Sequence, residues 1–270
     1  MSSVSISIVL YKSEKTVFIS VLESLVVAVE KVVETYGFDV LLIILDNNSD
    51  VDKEDFEPLA QVKWKRSLHF IHSSENLGYA KGHNKAIKES HCEYHLILNP
   101  DVLLDSNALV YAIEYLKTHP QAVLVSPFAC SEDGGRQYLC KSYPSVFDLL
   151  LRGFAPKWLQ NFFLKRLASY ELKGKTETDE FSDVPIASGC FMFLRRQNFN
   201  AVGGFSEKFF LYFEDFDLSI KLRKMGNLVY VPDVKIIHFG GQAAKKGANH
   251  IMLFGRSMCS FFNKHGWCFY

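Results

Sequence analysis

The chain has 270 residues, 48% of them hydrophobic, 14% aromatic and 22% charged, with Lys+Arg 30 against Asp+Glu 30. Disorder, whose signature is low hydrophobicity with high net charge, is excluded as the main state, and one α/β unit or at most two domains is expected. The zero formal charge gives no global basic field, so the sequence predicts no nucleic-acid partner.

Residues 4–10 predict a β-branched strand ending at Tyr11, and residues 14–36 a long amphipathic helix stopped by Gly37. Residues 40–45 are continuously apolar, the pattern of a strand covered on both faces, and end in Asp46-Asn47-Asn48-Ser49-Asp50. A third strand at 68–72 leads into the loop Asn76-Leu77-Gly78 and a helix to about Glu89. A fourth strand at 94–98 runs into Asn99-Pro100-Asp101, followed by a helix at 105–118 and a strand at 122–126. This alternation predicts an α/β fold, a mostly parallel sheet with helices on both faces.

From 127 to 180 the pattern weakens. Gly134-Gly135 marks a turn, 147–170 predicts one or two apolar helices, and 171–180 reads as a polar, flexible linker. Order returns at 184–194, with a short helix at 197–202, a break at Gly203-Gly204 and a helix at 215–225. Strands are expected at 227–231 and 235–239, then a Gly-rich loop at 240–247 and a closing helix at 249–264. The six cysteines form no CxxC pair and predict reduced thiols. The first residues carry no basic region ahead of an apolar stretch, and no run reaches the roughly 18–20 apolar residues of a spanning helix. A cytoplasmic protein, soluble or peripheral to a membrane, is expected.

In open α/β sheets, ligands bind outside the carboxyl ends of the strands. Three successive strands here end in polar residues: Asp46-Asn47-Asn48, Asn76-Leu77-Gly78 and Asn99-Pro100-Asp101. Turn formation alone explains any one of them; three on one edge predict a binding rim. No GxGxxG, GxxxxGK[ST] or GxSxG is present, against dinucleotide-binding, P-loop and α/β-hydrolase readings. A second cluster, Phe209-Phe210-Leu211-Tyr212-Phe213-Glu214-Asp215-Phe216-Asp217, sets three carboxylates behind an aromatic run. Lost hydration raises a carboxylate's pKa and makes it a better base near neutrality, while helix capping is the plain alternative. A third, His238-Phe239-Gly240-Gly241, ends a strand in a histidine that is either structural or, with Asp101, part of an oxygen/nitrogen site for Mn²⁺ or Mg²⁺.

Taken in order, these stretches, with Ser188-Gly189-Cys190-Phe191-Met192, Gly203-Gly204-Phe205 and Val229-Tyr230-Val231-Pro232, resemble the inverting family 2 glycosyltransferases of the GT-A fold. The resemblance runs from Val4 to about Phe262 and is nearest to the bacterial rhamnosyltransferase-like group that builds cell-surface polysaccharides such as O-antigen or capsule. It implies a GT-A catalytic domain at 1–240, with a nucleotide-binding half (1–126) and an acceptor-side half (127–240), and a C-terminal loop and helix at 241–270. It further implies that Asp46 binds a uracil or thymine ring with Tyr11 packing nearby. Asn48, Asn76 and Gly78 line the donor site, Asn99-Pro100-Asp101 stands for the DxD motif with Asp101 on the metal, and His238 assists the metal. Asp215 matches the catalytic base, with Glu214 its neighbour.

Three positions depart from the family pattern: Asn99 replaces the first Asp of DxD, and Lys81 and His83 stand where small or amide residues are expected. Lys81 either meets the diphosphate or is a solvated charge. The implied reaction moves a sugar, rhamnose by resemblance, from a dTDP- or UDP-sugar to a glycan acceptor that relatives commonly carry on a lipid. The departing diphosphate needs a cation, and the acceptor hydroxyl needs a base. A nucleotidyltransferase and an inactive nucleotide-sugar-binding scaffold are the alternatives. Residues 147–170 and the aromatics Phe261-Phe262 and Trp267-Cys268-Phe269-Tyr270 suit an interfacial membrane contact; packing on the catalytic core or a homodimer contact are the competing readings.

Overall fold

The computed structural model describes residues 3–48, 53–240 and 248–270. Strand β1 (Ser3–Leu10) leads to α1 (Lys15–Tyr36), which stops where Gly37 turns left-handed (φ 65°) and its N–H closes on the Val33 carbonyl. Strand β2 (Asp39–Asp46) is apolar throughout its centre because both faces are covered, and Leu42 to Leu45 are fully buried. Helix α2 (Lys53–Lys63) was not anticipated: Pro58 interrupts its hydrogen-bond ladder, and Phe56 and Ala60 are the buried ones among its described side chains before Trp64 follows. Then come β3 (Ser67–His72), α3 (Gly78–Lys88), β4 (Tyr94–Leu98), the short β5 (Val102–Leu104) and α4 (Ala108–Thr118).

The second half holds β6 (Ala122–Cys130), β7 (Arg136–Gln137), β8 (Cys140–Lys141), α5 (Val146–Phe154), α6 (Lys157–Phe162) and α7 (Leu164–Tyr170). It continues through β9 (Ile186–Ala187), β10 (Phe191–Arg195), α8 (Arg196–Ala201), α9 (Glu214–Leu222), β11 (Asn227–His238) and α10 (Ala248–His265). The main sheet has the order β3-β2-β1-β4-β10-β6-β11-β5, with β7 beside β6. Its first four strands are parallel, β10 inserts antiparallel between β4 and β6, and β11 runs parallel to β6. Because β10 is reversed, its leading residues lie beside the carboxyl end of β4, Phe191 opposite Leu98. That reversal brings the segment before β10 to the polar rim.

One core layer packs α1 and α4 against the sheet through residues such as Ile6, Ile8, Leu22 and Ile113. The opposite layer holds Ile97, Leu124, Met192, Phe199 and Leu218. A third cluster joins Leu149, Tyr170, Phe209, Phe213, Phe261 and Phe262.

Four sequence expectations are corrected. The two strands expected at 227–231 and 235–239 are one strand, bent by a register shift between Val231 and Lys235 where Pro232 has no N–H to give the ladder. Residues 147–170 form three helices rather than one or two, split at Pro156 and Phe163. Residues 171–180 are not a loose linker: Leu172 and Thr176 are buried, and Glu171 pairs with Lys141, Arg152 and Lys173. Phe261 and Phe262 are fully buried and cannot be membrane anchors. Helix α10 instead packs on α9, where Lys264 and His265 reach Asp217 at 2.5 and 2.7 Å. Of the expected 240–247 loop, residues 241–247 lie outside the described residues, as do Ser49 and Asp50.

Candidate active site

At the end of β2, Asp46 is buried, and His72, opposite it in β3, places Nδ1 3.7 Å from its Oδ2. Tyr11, exposed just past β1, follows Leu10, the β1 partner of Asp46. The next residue, Asn47, to which the sequence assigned no role, is the buried amide that builds the loop. Its Nδ2 donates to Asn76 Oδ1 (2.8 Å) and the Gly78 carbonyl (3.2 Å), and its Oδ1 accepts from the Leu77 N–H (2.7 Å). Asn48 is half-buried with a left-handed backbone (φ 55°), which Asn tolerates. Asn76 Oδ1 also takes the Gly78 N–H at 2.9 Å, and Gly78 sits at φ +75°, where a Cβ would fall 2.4 Å from the Phe210 carbonyl oxygen. No other residue fits there.

Lys81 lies on the exposed face of α3, and among the described residues it has no ion pair with the other candidates. His83 points the opposite way, into the core. Its Nδ1 meets Ser7 Oγ (2.8 Å), which meets His95 Nε2 (2.8 Å), and His95 Nδ1 meets Ser5 Oγ (2.7 Å), itself the acceptor of Ser90 Oγ–H. Burial pushes the His83 pKa down to about 3 and that of His95 well down, so both are neutral and structural.

Asp101 and His238 are brought together, His238 Nε2 lying 3.7 Å from Asp101 Oδ1. Gln137 Nε2 donates to the His238 and Gly240 carbonyls, which leaves its Oε1 to accept from His238 Nδ1–H at 2.8 Å. That tautomer, assigned from the network, turns the Nε2 lone pair toward Asp101. Asp101 Oδ1 is buried without a hydrogen-bond partner, and Gly240 packs so closely that a Cβ would lie 2.5 Å from His238 Nε2 and 2.8 Å from Asp101 Oδ2. An orphaned carboxylate oxygen beside an oriented imidazole fits a divalent cation that takes its remaining ligands from phosphate and water. Among the described residues no group of three or more His, Cys, Asp or Glu forms an all-protein cage.

The acid pair opens α9. The two residues preceding it, Tyr212 and Phe213, both have left-handed backbones (φ 70° and 67°), strain that packing against α10 holds in place. Asp215 accepts the Gly189 N–H on Oδ2 (3.0 Å) and the Phe216 N–H on Oδ1 (2.9 Å). Burial raises its pKa, these N–H donors oppose the rise, and the balance is about 6. Glu214 is buried deeper with Oε2 unpartnered; burial, then the Asp215 charge, pushes its pKa well up. At neutral pH Asp215 is therefore the anion and Glu214 the neutral acid. Asp217 is separate from this pair and serves as the anchor of α10.

The segment before β10 ties the two sites. The Asn99 N–H donates to the Cys190 carbonyl at 2.9 Å, one residue from the N–H that holds Asp215. Only the Ser188-Gly189-Cys190 motif hinted at this in the sequence; Gln137 carried no signal, since its partner lies about a hundred residues away. The family model described as Glycosyl transferase family 2 matches residues 5–203. The chain belongs to glycosyl transferase family 2. Among similar proteins, N-acetylglucosaminyl-diphospho-decaprenol L-rhamnosyltransferase of Mycobacterium tuberculosis is 27% identical over 250 residues, covering 84% of this chain and 76% of the relative. Rhamnosyltransferase WbbL of Escherichia coli is 27% identical over 173 residues, covering 60% of this chain and 61% of the relative.

The fold is GT-A. A Pyrobaculum calidifontis mannosyltransferase in complex with GDP-Man and Mn²⁺ aligns at TM-score 0.63 and 17% identity, over 97% of this glycosyltransferase and 63% of that chain. Staphylococcus aureus TarS aligns at TM-score 0.58 and 14% identity, over 97% of this chain and 43% of that one. The family 2 chain thus spans less than two thirds of each of these solved structures.

Proposed function

We propose that this family 2 glycosyltransferase moves a sugar, rhamnose by likeness to its relatives, from a dTDP- or UDP-sugar to a lipid-linked glycan, with inversion. The observation that carries the reading is the pairing of two chemistries on one rim: Asp101 with the oriented His238, and Asp215 with a pKa near neutrality, joined through Gly189-Cys190. Asp46, with Tyr11 beside it, binds the base. Asn48, Asn76, Gly78 and Asn99 line the nucleotide side, and the exposed Lys81 of α3 meets phosphate. Residues 1–126 serve the donor and 127–240 the acceptor.

Asp101 and His238 would hold Mn²⁺ or Mg²⁺, which when bound would supply Lewis-acid stabilisation of the departing diphosphate. Asp215 accepts the proton of the attacking hydroxyl; anionic at pH 7 yet partly desolvated, it has the basicity a general base needs. Glu214, neutral, adds no competing charge. A single base with a single displacement supports inversion, whereas a glycosidase needs two carboxylates flanking the bond. Asp215→Asn keeps the shape and loses the proton acceptor, so transfer falls by about 10²–10⁴ while donor affinity holds. Wild-type turnover in that variant removes Asp215 from the role.

A peripheral station at the cytoplasmic membrane face is part of the same reading. No helix among the described residues is long and apolar enough to cross a membrane. On α6, however, Trp158 and Phe162 are 64% and 78% exposed, with Lys157 on the same helix and Lys165 on α7, and Phe269 and Tyr270 beyond α10 are also exposed. Exposed aromatics interleaved with lysine suit an anionic lipid surface.

A further inference from the structure

Tyr79 directly follows the second turn-forming motif, and its hydroxyl reaches the segment ahead of β10. Its ring packs at a tilt on the buried His83 (centroids 4.4 Å apart, planes at 60°) and edge-on against Phe205 (5.8 Å), and its backbone N–H donates to the Phe210 carbonyl at 3.0 Å. From that rigid seat the hydroxyl donates to the Gly189 carbonyl at 2.5 Å. Gly189 in turn gives its N–H to Asp215 Oδ2, and a Cβ there would lie 3.3 Å from both Asp215 Cβ and the Tyr79 hydroxyl. The glycine is gripped from both sides.

We propose that Tyr79 is a positioning residue for the catalytic base: by fixing the Gly189 carbonyl it aims the Gly189 N–H at Asp215. The proposal rests on the reading of Asp215 as the base. Its force comes from what surrounds that carboxylate. The titratable groups facing it are Glu214 on α9, Tyr79 on α3, Cys190 ahead of β10 and Tyr170 on α7. Burial raises the pKa of each, that of Cys190 to about 12, so all four are neutral at pH 7 and none is a cation. The Asp215 anion therefore depends on backbone donors, Gly189 first, then Phe216 and its own N–H. The Phe216 donor belongs to its own helix turn and is fixed locally. The Gly189 donor is on a loop, and Tyr79 holds the loop. Behind Tyr79, His83 is itself fixed by the hydrogen-bond chain through Ser7, His95 and Ser5 to Ser90.

Tyr79→Phe removes only the hydroxyl. The expected result is a fall in kcat of about tenfold, the worth of one well-placed hydrogen bond. The acid limb of the kcat–pH profile, centred near the Asp215 value of about 6, shifts upward by about half a unit because a donor to the charged form has weakened. The midpoint for UDP or dTDP with Mn²⁺, read by thermal shift, stays unchanged. In an Asp215→Asn background Tyr79→Phe costs nothing further, since residues acting through one group are non-additive. Gly189→Ala, which intrudes on the same contact, shifts the limb in the same direction and serves if Tyr79→Phe does not fold. Unchanged kcat and pH limb in both variants overturn the proposal, as does an additive loss in the Asp215→Asn background. Wild-type turnover by Asp215→Asn alone overturns the base reading itself, whatever Tyr79→Phe does.

Discussion

Asp217→Asn tests whether α10 is part of the catalytic unit. The Asp217 carboxylate is fully buried, with Lys264 Nζ and His265 Nε2 on Oδ1 at 2.5 and 2.7 Å and Lys221 Nζ 3.4 Å from Oδ2. Burial works to raise its pKa, but the Lys264 and His265 bonds outweigh burial and leave it below the usual carboxylate range. Neutralising one partner of a buried pair costs about 3–5 kcal/mol; Lys264 is 40% exposed and can turn to water, so the low end, about 3 kcal/mol, applies. At about 2–4 °C per kcal/mol for a chain of this size, thermal unfolding should drop by about 6–12 °C. A depressed acid pKa contributes stability that is full above its unfolded value and lost as pH falls through the folded one. The gap between wild type and variant should therefore be complete at pH 7 and close below about pH 4. Melting curves across pH supply the check. A loss no greater than a surface substitution, about 0.5 kcal/mol, or a gap unchanged at low pH, refutes the ionic anchor.

The remaining expectations concern the donor site and the membrane. Asp101→Ala should abolish the extra thermal stabilisation that Mn²⁺ gives to bound UDP or dTDP, an effect of about 2.7 kcal/mol for a ligand at a hundred times its Kd; a chelator with no effect on wild-type activity removes the metal assignment. Gly78→Ala forces a Cβ to within 2.4 Å of the Phe210 oxygen at φ +75°, so nucleotide affinity should fall at least tenfold with a stability loss of about 1–3 kcal/mol; a neutral result in both assays denies that the loop is built on this glycine. Flotation should carry the protein with anionic liposomes at low salt, and Trp158→Ala with Phe162→Ala should leave it at the bottom of the gradient; failure of the wild type to float sinks the peripheral reading.

What was legible in the sequence was whatever depends on neighbouring residues. The apolar runs of β1, β2 and β4 and the Gly37 stop follow from local pattern, and so does the polar rim. Helix α2 was hidden by Pro58 and by its weak apolar face, β5 by its three-residue length. The choice of Asn48 over Asn47 shows where local reading ends: both are turn formers, and only contacts about thirty residues away, to Asn76 and Leu77, make Asn47 the builder. Gln137 and Gly189 act on His238 and Asp215 through bonds spanning 101 and 26 residues. The aromatic pairs at the C-terminus were ambiguous for the same reason, since burial of Phe261 and Phe262 depends on the partner face of α9.

The buried Ser5-Ser7-His83-His95-Ser90 chain acts as a register key. Ser5 and Ser7 share one face of β1, while Val4, Ile6 and Ile8 on the other belong to the core layer under α1. Slipping β1 by one residue against β4 sends the isoleucines to the histidines and the hydroxyls into hydrocarbon, leaving several polar groups unpaired at about 1–3 kcal/mol each. A uniformly apolar strand between two parallel neighbours lacks that discrimination. The carboxyl ends of β1 and β2 therefore finish level, Leu10 beside Asp46, while β4 stops at Leu98 beside Ile8, and that fixed step sets where Asn99-Pro100-Asp101 meets the rim.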